Sequence, residues 1–309
     1  MKSIFIDCNK QLAPIFARVR RADDPPITIN STPFHSADLP RILADYEICI
    51  DDHSYLPTEI MTRCRDLKHV VFLGTGASSY MDVAALNRLG IEVHTIKGYG
   101  DTAVAEHAMA LIFACCREVA RMDRAVRHGE WEPLEGKQLG GKTLGIIGLG
   151  GIGCELARIA RGIGMEVIAW NRTRRADAEV PVVELDALLA QADVISLHLA
   201  LTEETRGFLD AERIARTKPG LILVNTARGA LVDEAALIDG LKRGHIRHAG
   251  LDVFHAEPLR PEPPLAQLEN VTLTSHAGVR TLEASMTLLR RAVDIVCRIV
   301  VQPSLRAAP

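Results

Sequence analysis

Short apolar runs of strand length alternate along the chain with stretches whose apolar residues step by three and four. In the first third, runs at residues 2–7, 46–51, 69–73 and 91–95 predict strands, and 57–64 and 79–89 predict helices. Asp23-Asp24-Pro25-Pro26 and Ser31-Thr32-Pro33 mark turns between them. Residues 102–128 read as helix throughout, with Asp101 as N-cap, Glu106 in the first turn and Ala103, Ala105, Ala108, Ala110 and Ala114 allowing close packing. Beyond it, strands are predicted at 143–148, 165–170, 193–199, 221–225, 248–252 and 271–275, and helices at 151–164, 184–191, 212–216, 233–243 and 281–301.

Strands alternating with helices dictate parallel sheets covered on both faces. The fold class expected is α/β: two Rossmann-like doubly wound domains with an active-site cleft between them. The last helix follows the sixth strand of the second sheet and has no place in it, so it is expected to return to the first domain. The boundaries expected are 1–98 plus 281–309 for a flavodoxin-like substrate-binding domain and 99–280 for a dinucleotide-binding domain. The tail 304–309 reads as frayed.

One stretch organises the second half. The apolar run 143–147 leads into Gly148-Leu149-Gly150-Gly151-Ile152-Gly153, and a helical pattern follows with Ile152, Leu156, Ile159, Ala160 and Ile163 on one face. Strand, glycine turn, helix and second strand are the parts of a dinucleotide-binding βαβ unit. The first glycine permits the turn, the second lets a pyrophosphate approach the backbone, and the third lets helix and strand pack closely. The helix N-terminus then offers free N–H groups and partial positive charge. The glycine pattern alone is weak, and its flanks make it specific.

Composition narrows the function. The net charge of −3 and the lack of a basic block argue against nucleic acid or an anionic membrane as partner. No apolar run approaches the ~20 residues of a membrane span. Seven scattered cysteines without a C-x-x-C pair suggest reduced thiols and a cytoplasmic protein, and no metal is expected. Cys154, at the start of the helix after the glycine turn, is not assigned a catalytic role.

Candidate chemistry lies just past the predicted strands. Arg228, in Asn225-Thr226-Ala227-Arg228-Gly229, can hold a carboxylate through two parallel hydrogen bonds or serve as a surface residue. Asp252 ends a strand, Glu257 stands five residues on before Pro258, and His276 follows the last strand. Gly74-Thr75-Gly76, past an earlier strand, serves either as a ligand loop or as a simple turn. An arginine, a carboxylate and a histidine beside a nicotinamide suit a 2-hydroxy acid. The arginine binds the substrate carboxylate, the histidine exchanges the hydroxyl proton, and the carboxylate stabilises the imidazolium and fixes its tautomer.

These motifs, with Gly129-Glu130-Trp131, the run from Ala192 to His198, Leu251-Asp252-Val253-Phe254-His255-Ala256-Glu257-Pro258 and Ser275-His276, give the chain a resemblance to the D-isomer-specific 2-hydroxyacid dehydrogenases. The resemblance covers nearly the whole chain and is strongest from Gly74 to Ala284. It implies an oxidoreductase moving a hydride between NAD(P)H and a small 2-oxo acid, with Arg228 binding substrate, Glu257 as partner acid and His276 as proton donor. It implies that Gly151 and Ile152 touch the pyrophosphate, that Thr226, Ala227 and Arg228 run along the cofactor, and that His276 lies beside the nicotinamide. Asp252 would bind the carboxamide, and the N–H groups of Gly74, Thr75 and Gly76 would help hold substrate. A homodimer through the cofactor domains, the long helix included, is implied as well.

Two departures qualify the resemblance. Asn171 stands where an acid would bind the ribose of NAD, followed by Arg172, Thr173, Arg174 and Arg175, which favours the 2′-phosphate of NADPH over NAD. The loop from Gly74 to Asp82 is one residue longer than usual, so the identity of the acid does not carry over. Arg280 is a candidate for a distal anionic group or for the surface. One alternative is a dinucleotide-sensing binding protein of the same fold, against which the intact Arg–Glu–His set argues. Another is a formate or phosphite dehydrogenase; formate enzymes carry glutamine at the place of Glu257.

Overall fold

The computed structural model describes residues 1–173, 179–260, 262 and 264–301. The predicted arginines Arg174 and Arg175 and the tail 304–309 lie outside the described residues. The chain divides into two compact units, Met1–Gly100 with the chain from Thr281 onward, and Asp101–Arg280. The division falls two residues after the boundary expected at 98.

Unit 1 begins with β1 (Ser3–Phe5), α1 (Leu12–Val19), β2 (Ile27–Ile29), α2 (Leu39–Ile42), β3 (Ile48–Asp51), α3 (Thr58–Met61), β4 (His69–Phe72), α4 (Val83–Arg88) and β5 (Glu92–Thr95). The strands form one parallel sheet in the order β2-β1-β3-β4-β5. That is the flavodoxin-like order, with its reversal at β1 and β3. Strand β2 was not predicted. It sits at an edge, its Thr28 and Ile29 face solvent, and a run without burial carries no apolar signature.

Unit 2 holds α5 (Asp101–Cys116), α6 (Val119–Arg127), β6 (Thr143–Ile147), α7 (Gly151–Gly162), β7 (Glu166–Trp170), α8 (Leu185–Gln191), β8 (Val194–Leu197), α9 (Ala211–Ala215), β9 (Leu221–Asn225), α10 (Glu234–Lys242), β10 (Ile246–Leu251) and β11 (Val271–Leu273). Its six parallel strands run β11-β10-β9-β8-β6-β7. Among the described residues a single parallel bridge pairs Val182 with Ala169 on the outer side of β7. Val182 therefore occupies the third-strand place of a dinucleotide-binding sheet, reduced to one bridge, which the six-strand expectation missed. The central strands are apolar at consecutive positions because both faces are covered. Ile222 and Val224 join the core beneath α5 and α7, while Leu221 and Leu223 join the core that includes α8 and α10.

The single long helix expected over 102–128 is two. It breaks at Glu118, whose backbone is left-handed (φ 54°) and whose buried carboxylate turns toward His248 Nδ1 at 3.3 Å and Arg247 at 3.8 Å. The chain closes with α11 (Leu282–Val301), which belongs to unit 1. Its Leu289, Ala292, Val293 and Val296 share a core with Phe5, Phe16, Ile50 and Val71. Among the described residues no helix is long and apolar enough to cross a membrane.

Candidate active site

Strand β6 ends in Gly148 at φ +108°, a conformation L side chains rarely adopt, and a Cβ there would come within 2.6 Å of the His198 carbonyl oxygen. A Cβ on Gly153 would strike the Gly148 carbonyl, so turn and helix meet with no room between them. Around the Cβ position of Gly150 there is open space, beside the free N–H groups of α7. Asp101, expected as an N-cap, is instead the first residue of α5, and its carboxylate lies against Gly151 at the positive end of α7. Thr226 Oγ1, past β9, is buried with no hydrogen-bond partner among the described residues. An open glycine, a free helix N-terminus and an unsatisfied hydroxyl fit a dinucleotide laid over this end of the sheet. Gly148, Gly150, Gly151, Ile152, Gly153 and Thr226 are the residues that could hold it.

The two residues expected to select its ribose are engaged with protein. Asn171 Oδ1 accepts from the Leu149 N–H at 3.0 Å and its Nδ2 donates to the Thr173 carbonyl at 2.7 Å, so the side chain braces the glycine turn. Arg172 is exposed and paired with Glu204 at 2.9 Å.

The reactive side chains come from the carboxyl ends of β9, β10 and β11. Leu251 is in register with Asn225 and with Leu273, which sets those ends side by side. The Asp252 N–H donates to the Asn225 carbonyl at 3.0 Å, and the His276 N–H donates to the Asp252 carbonyl at 2.8 Å. After β9, Asn225 shapes the arginine loop: its Oδ1 accepts from the Ala227 N–H and its Nδ2 donates to the Arg228 carbonyl. Gly229 packs so closely on Phe254 and His255 that no Cβ fits. Arg228 Nη1 donates to the Ala227 carbonyl at 2.6 Å, and among the described residues the guanidinium meets no carboxylate.

His276 Nδ1 lies 2.7 Å from Glu257 Oε2, and the other carboxylate oxygen accepts from the Phe254 N–H at 2.9 Å. The histidine sits at φ 52°, which costs a non-glycine residue about 1–3 kcal/mol. Asp252 holds it there. Its Oδ1 accepts from the Thr274 hydroxyl (2.6 Å) and the Ala277 N–H (2.8 Å), and its Oδ2 accepts from the Gly278 N–H (2.9 Å). His107 of α5 closes the network, with Nε2 3.0 Å from Thr274 Oγ1 and 3.3 Å from Asp252 Oδ1. Burial alone would raise the Asp252 pKa; the bonds from His107, Thr274, Ala277 and Gly278 outweigh it and hold the value down to about 2. The expectation that Asp252 meets the cofactor carboxamide thus stands beside an observed role in shaping the His276 loop. His107 and Thr274 were not singled out in the sequence. The available signal was a polar residue one turn from Ala103 and Leu111 on the buried face of an alanine-rich helix.

In unit 1, Gly74 follows β4 at φ +153°, and a Cβ there would crowd the Phe72 ring at 3.1 Å. The Gly74 N–H is spent on the Phe72 carbonyl, and its carbonyl accepts from Ile96. Thr75 is exposed and Gly76 half-exposed, and among the described residues neither amide donates to a protein acceptor.

Comparison with known proteins follows the same lines. Residues 109–278 match the sequence model of the D-isomer specific 2-hydroxyacid dehydrogenase NAD binding domain. The chain is 38% identical over 264 residues to a hydroxypyruvate reductase of Thermotoga maritima, covering 84% of this chain and 86% of the relative. It is 37% identical over 267 residues to a D-3-phosphoglycerate dehydrogenase of Archaeoglobus fulgidus, covering 84% of this chain but 50% of that longer protein. The crystal structure of the TT0316 protein of Thermus thermophilus superposes with a TM-score of 0.84 at 33% identity, covering 95% of this chain and 94% of that one. The chain belongs to the D-isomer-specific 2-hydroxyacid dehydrogenases, an oxidoreductase family built on two parallel-sheet α/β domains with an NAD-type cofactor.

Proposed function

We propose that this protein reduces a small 2-oxo acid to the D-2-hydroxy acid, with NADPH preferred over NADH, and works as a dimer through unit 2. The observation that carries the reading is the His276–Glu257 pair, held from both sides by backbone N–H groups and Asp252. A bound nicotinamide dinucleotide supplies the hydride. With Nδ1 donating to Glu257, the second ring nitrogen, Nε2, carries the proton for the substrate oxygen. The imidazole left behind is half-exposed and regains its proton from solvent. Arg228, which meets no carboxylate among the described residues, pairs with the substrate carboxylate and draws charge toward the carbonyl.

The test is oxidation of NADPH and NADH by purified protein with glyoxylate, hydroxypyruvate, pyruvate, 2-oxobutyrate, phenylpyruvate and 2-oxoglutarate, with product stereochemistry determined. His276→Ala should lower kcat by about 10²–10⁴-fold, the usual worth of a positioned general acid. Arg228→Lys should raise KM, since an ammonium cannot make the two-pronged contact. Near-wild-type kcat/KM in either variant removes that assignment.

The NADPH preference rests on Arg172 and on the missing ribose acid. Asn171→Asp keeps the acceptor for Leu149 and adds the missing charge, so the NADPH-to-NADH ratio of kcat/KM should fall about tenfold, ~1.4 kcal/mol. A wild type that prefers NADH contradicts this reading.

A further inference from the structure

The proposed reaction makes no use of a cluster on the sheet of unit 1. Strand β5 is an edge of that sheet and β4 is its neighbour. Glu92 and His94, two residues apart on β5, share a face, and His69 of β4 is in register with Glu92. The two imidazoles meet there. His69 Nδ1 is 3.2 Å from His94 Nε2, with ring centroids 5.3 Å apart and planes tilted by 38°. Glu92 Oε2 lies 3.6 Å from His69 Nδ1, and Oε1 lies 3.9 Å from His94 Nδ1. One ligand atom from each residue falls within 4.8 Å of the other two. The imidazoles are about four-fifths buried, while Glu92 reaches solvent.

Two nitrogens on one tetrahedral ion, each ~2.0–2.1 Å from it, lie ~3.3 Å apart, the spacing seen here. Two cations lie nearby: Lys68, paired with Glu47 at 2.7 Å, and Arg298, which acts on His94.

We propose that His69, Glu92 and His94 bind a divalent transition-metal ion, zinc being the best match, through two imidazole nitrogens and one carboxylate oxygen, with solvent as the fourth ligand. An ion there ties the edge strand to β4 by more than its backbone ladder.

The test uses tag-free full-length protein, stripped by chelation, titrated with Co²⁺ by visible absorption and with Zn²⁺ by competition. Thermal unfolding is followed in parallel. The wild type should bind one ion per chain with the spectrum of a four-coordinate nitrogen–oxygen site, and its Tm should rise on loading. His94→Ala should abolish that spectrum and the Tm rise. Glu92→Gln changes an exposed side chain and should weaken Zn²⁺ by at least the ~10–100-fold that loss of an outer partner costs. No binding by the wild type, or equal binding by the wild type and both variants, overturns the proposal.

Discussion

Asp252 has one carboxylate and at least three donors, and the sharing of its oxygens decides where His276 sits. Replacing it by Asn conserves shape but puts an N–H₂ against either the Gly278 N–H or the Thr274 and Ala277 donors. One buried donor is then unsatisfied, costing about 1–3 kcal/mol. We expect Asp252→Asn to lower Tm and kcat together, because the left-handed His276 loop loses its anchor. Unfolding and steady-state kinetics on the same preparation check this. If the side chain served only a cofactor carboxamide, dinucleotide affinity would drop with stability unchanged. The pH dependence has a fixed sign. The folded pKa lies below the unfolded one, so this stabilisation is complete above the ordinary carboxylate range and is lost as pH falls toward 2.

At the scale of elements, legibility in the sequence followed burial. Strands β3, β4 and β9 showed themselves because nearly every residue is buried and apolar. Strand β2 was hidden behind Pro25-Pro26, with only Ile27 partly buried, and Val182 supplies a lone bridge that no periodicity could announce. The break at Glu118 was invisible for another reason: the sequence there is helix-forming, and the side chain at the break lies against His248 and Arg247, about 130 residues away. The site divides in the same way. Arg228, Glu257 and His276 sit directly after strands and were legible, whereas His107 acts through a contact 167 residues distant along the chain. Asp24, read simply as part of a turn, proves to fasten an element. Both its oxygens accept from Arg290 of α11 at 2.8 Å, and its side chain is only 4% exposed. The Arg290 hydrogen bonds hold the Asp24 carboxyl well below the usual carboxylate range. Arg290→Met removes the two-pronged partner and leaves Asp24 with only Arg20 at 3.4 Å and the Arg21 N–H, so we expect a loss of about 1.5–3 kcal/mol in urea unfolding. Asp24 is depressed on folding, so the pair stabilises fully above the unfolded pKa and fails as pH drops through the acid range. The wild type should therefore converge on the variant in acid.

For the whole molecule, the informative feature is a helix with no fully buried residue. Among the described residues of α6 none is buried, yet Val119, Met122 and Val126 fall at i, i+3 and i+7 on one face. Val119 and Val126 are each 51% exposed, and Phe113 of α5 and Trp131 just beyond α6 add 42% and 87%. A nine-residue helix is marginal in water by itself, and this one leaves its apolar stripe half-exposed. In the proposed dimer, burial against a second copy would supply what is missing, and a symmetric pair would present the same stripe twice. The proposed dimer through unit 2 thus has a specific consequence. Val126→Glu places a charge where the partner's apolar face would lie, at a cost of about 2–3 kcal/mol, so the dimer Kd should rise roughly 30- to 150-fold. Light scattering during size exclusion across a dilution series reads this directly, with the wild type dimeric where the variant is monomeric. The same variant should lose thermal stability in a concentration-dependent way, since partner and fold are linked. A wild type that stays monomeric at every concentration would leave the exposed face of α6 without this explanation and would remove unit 2 as the dimer contact.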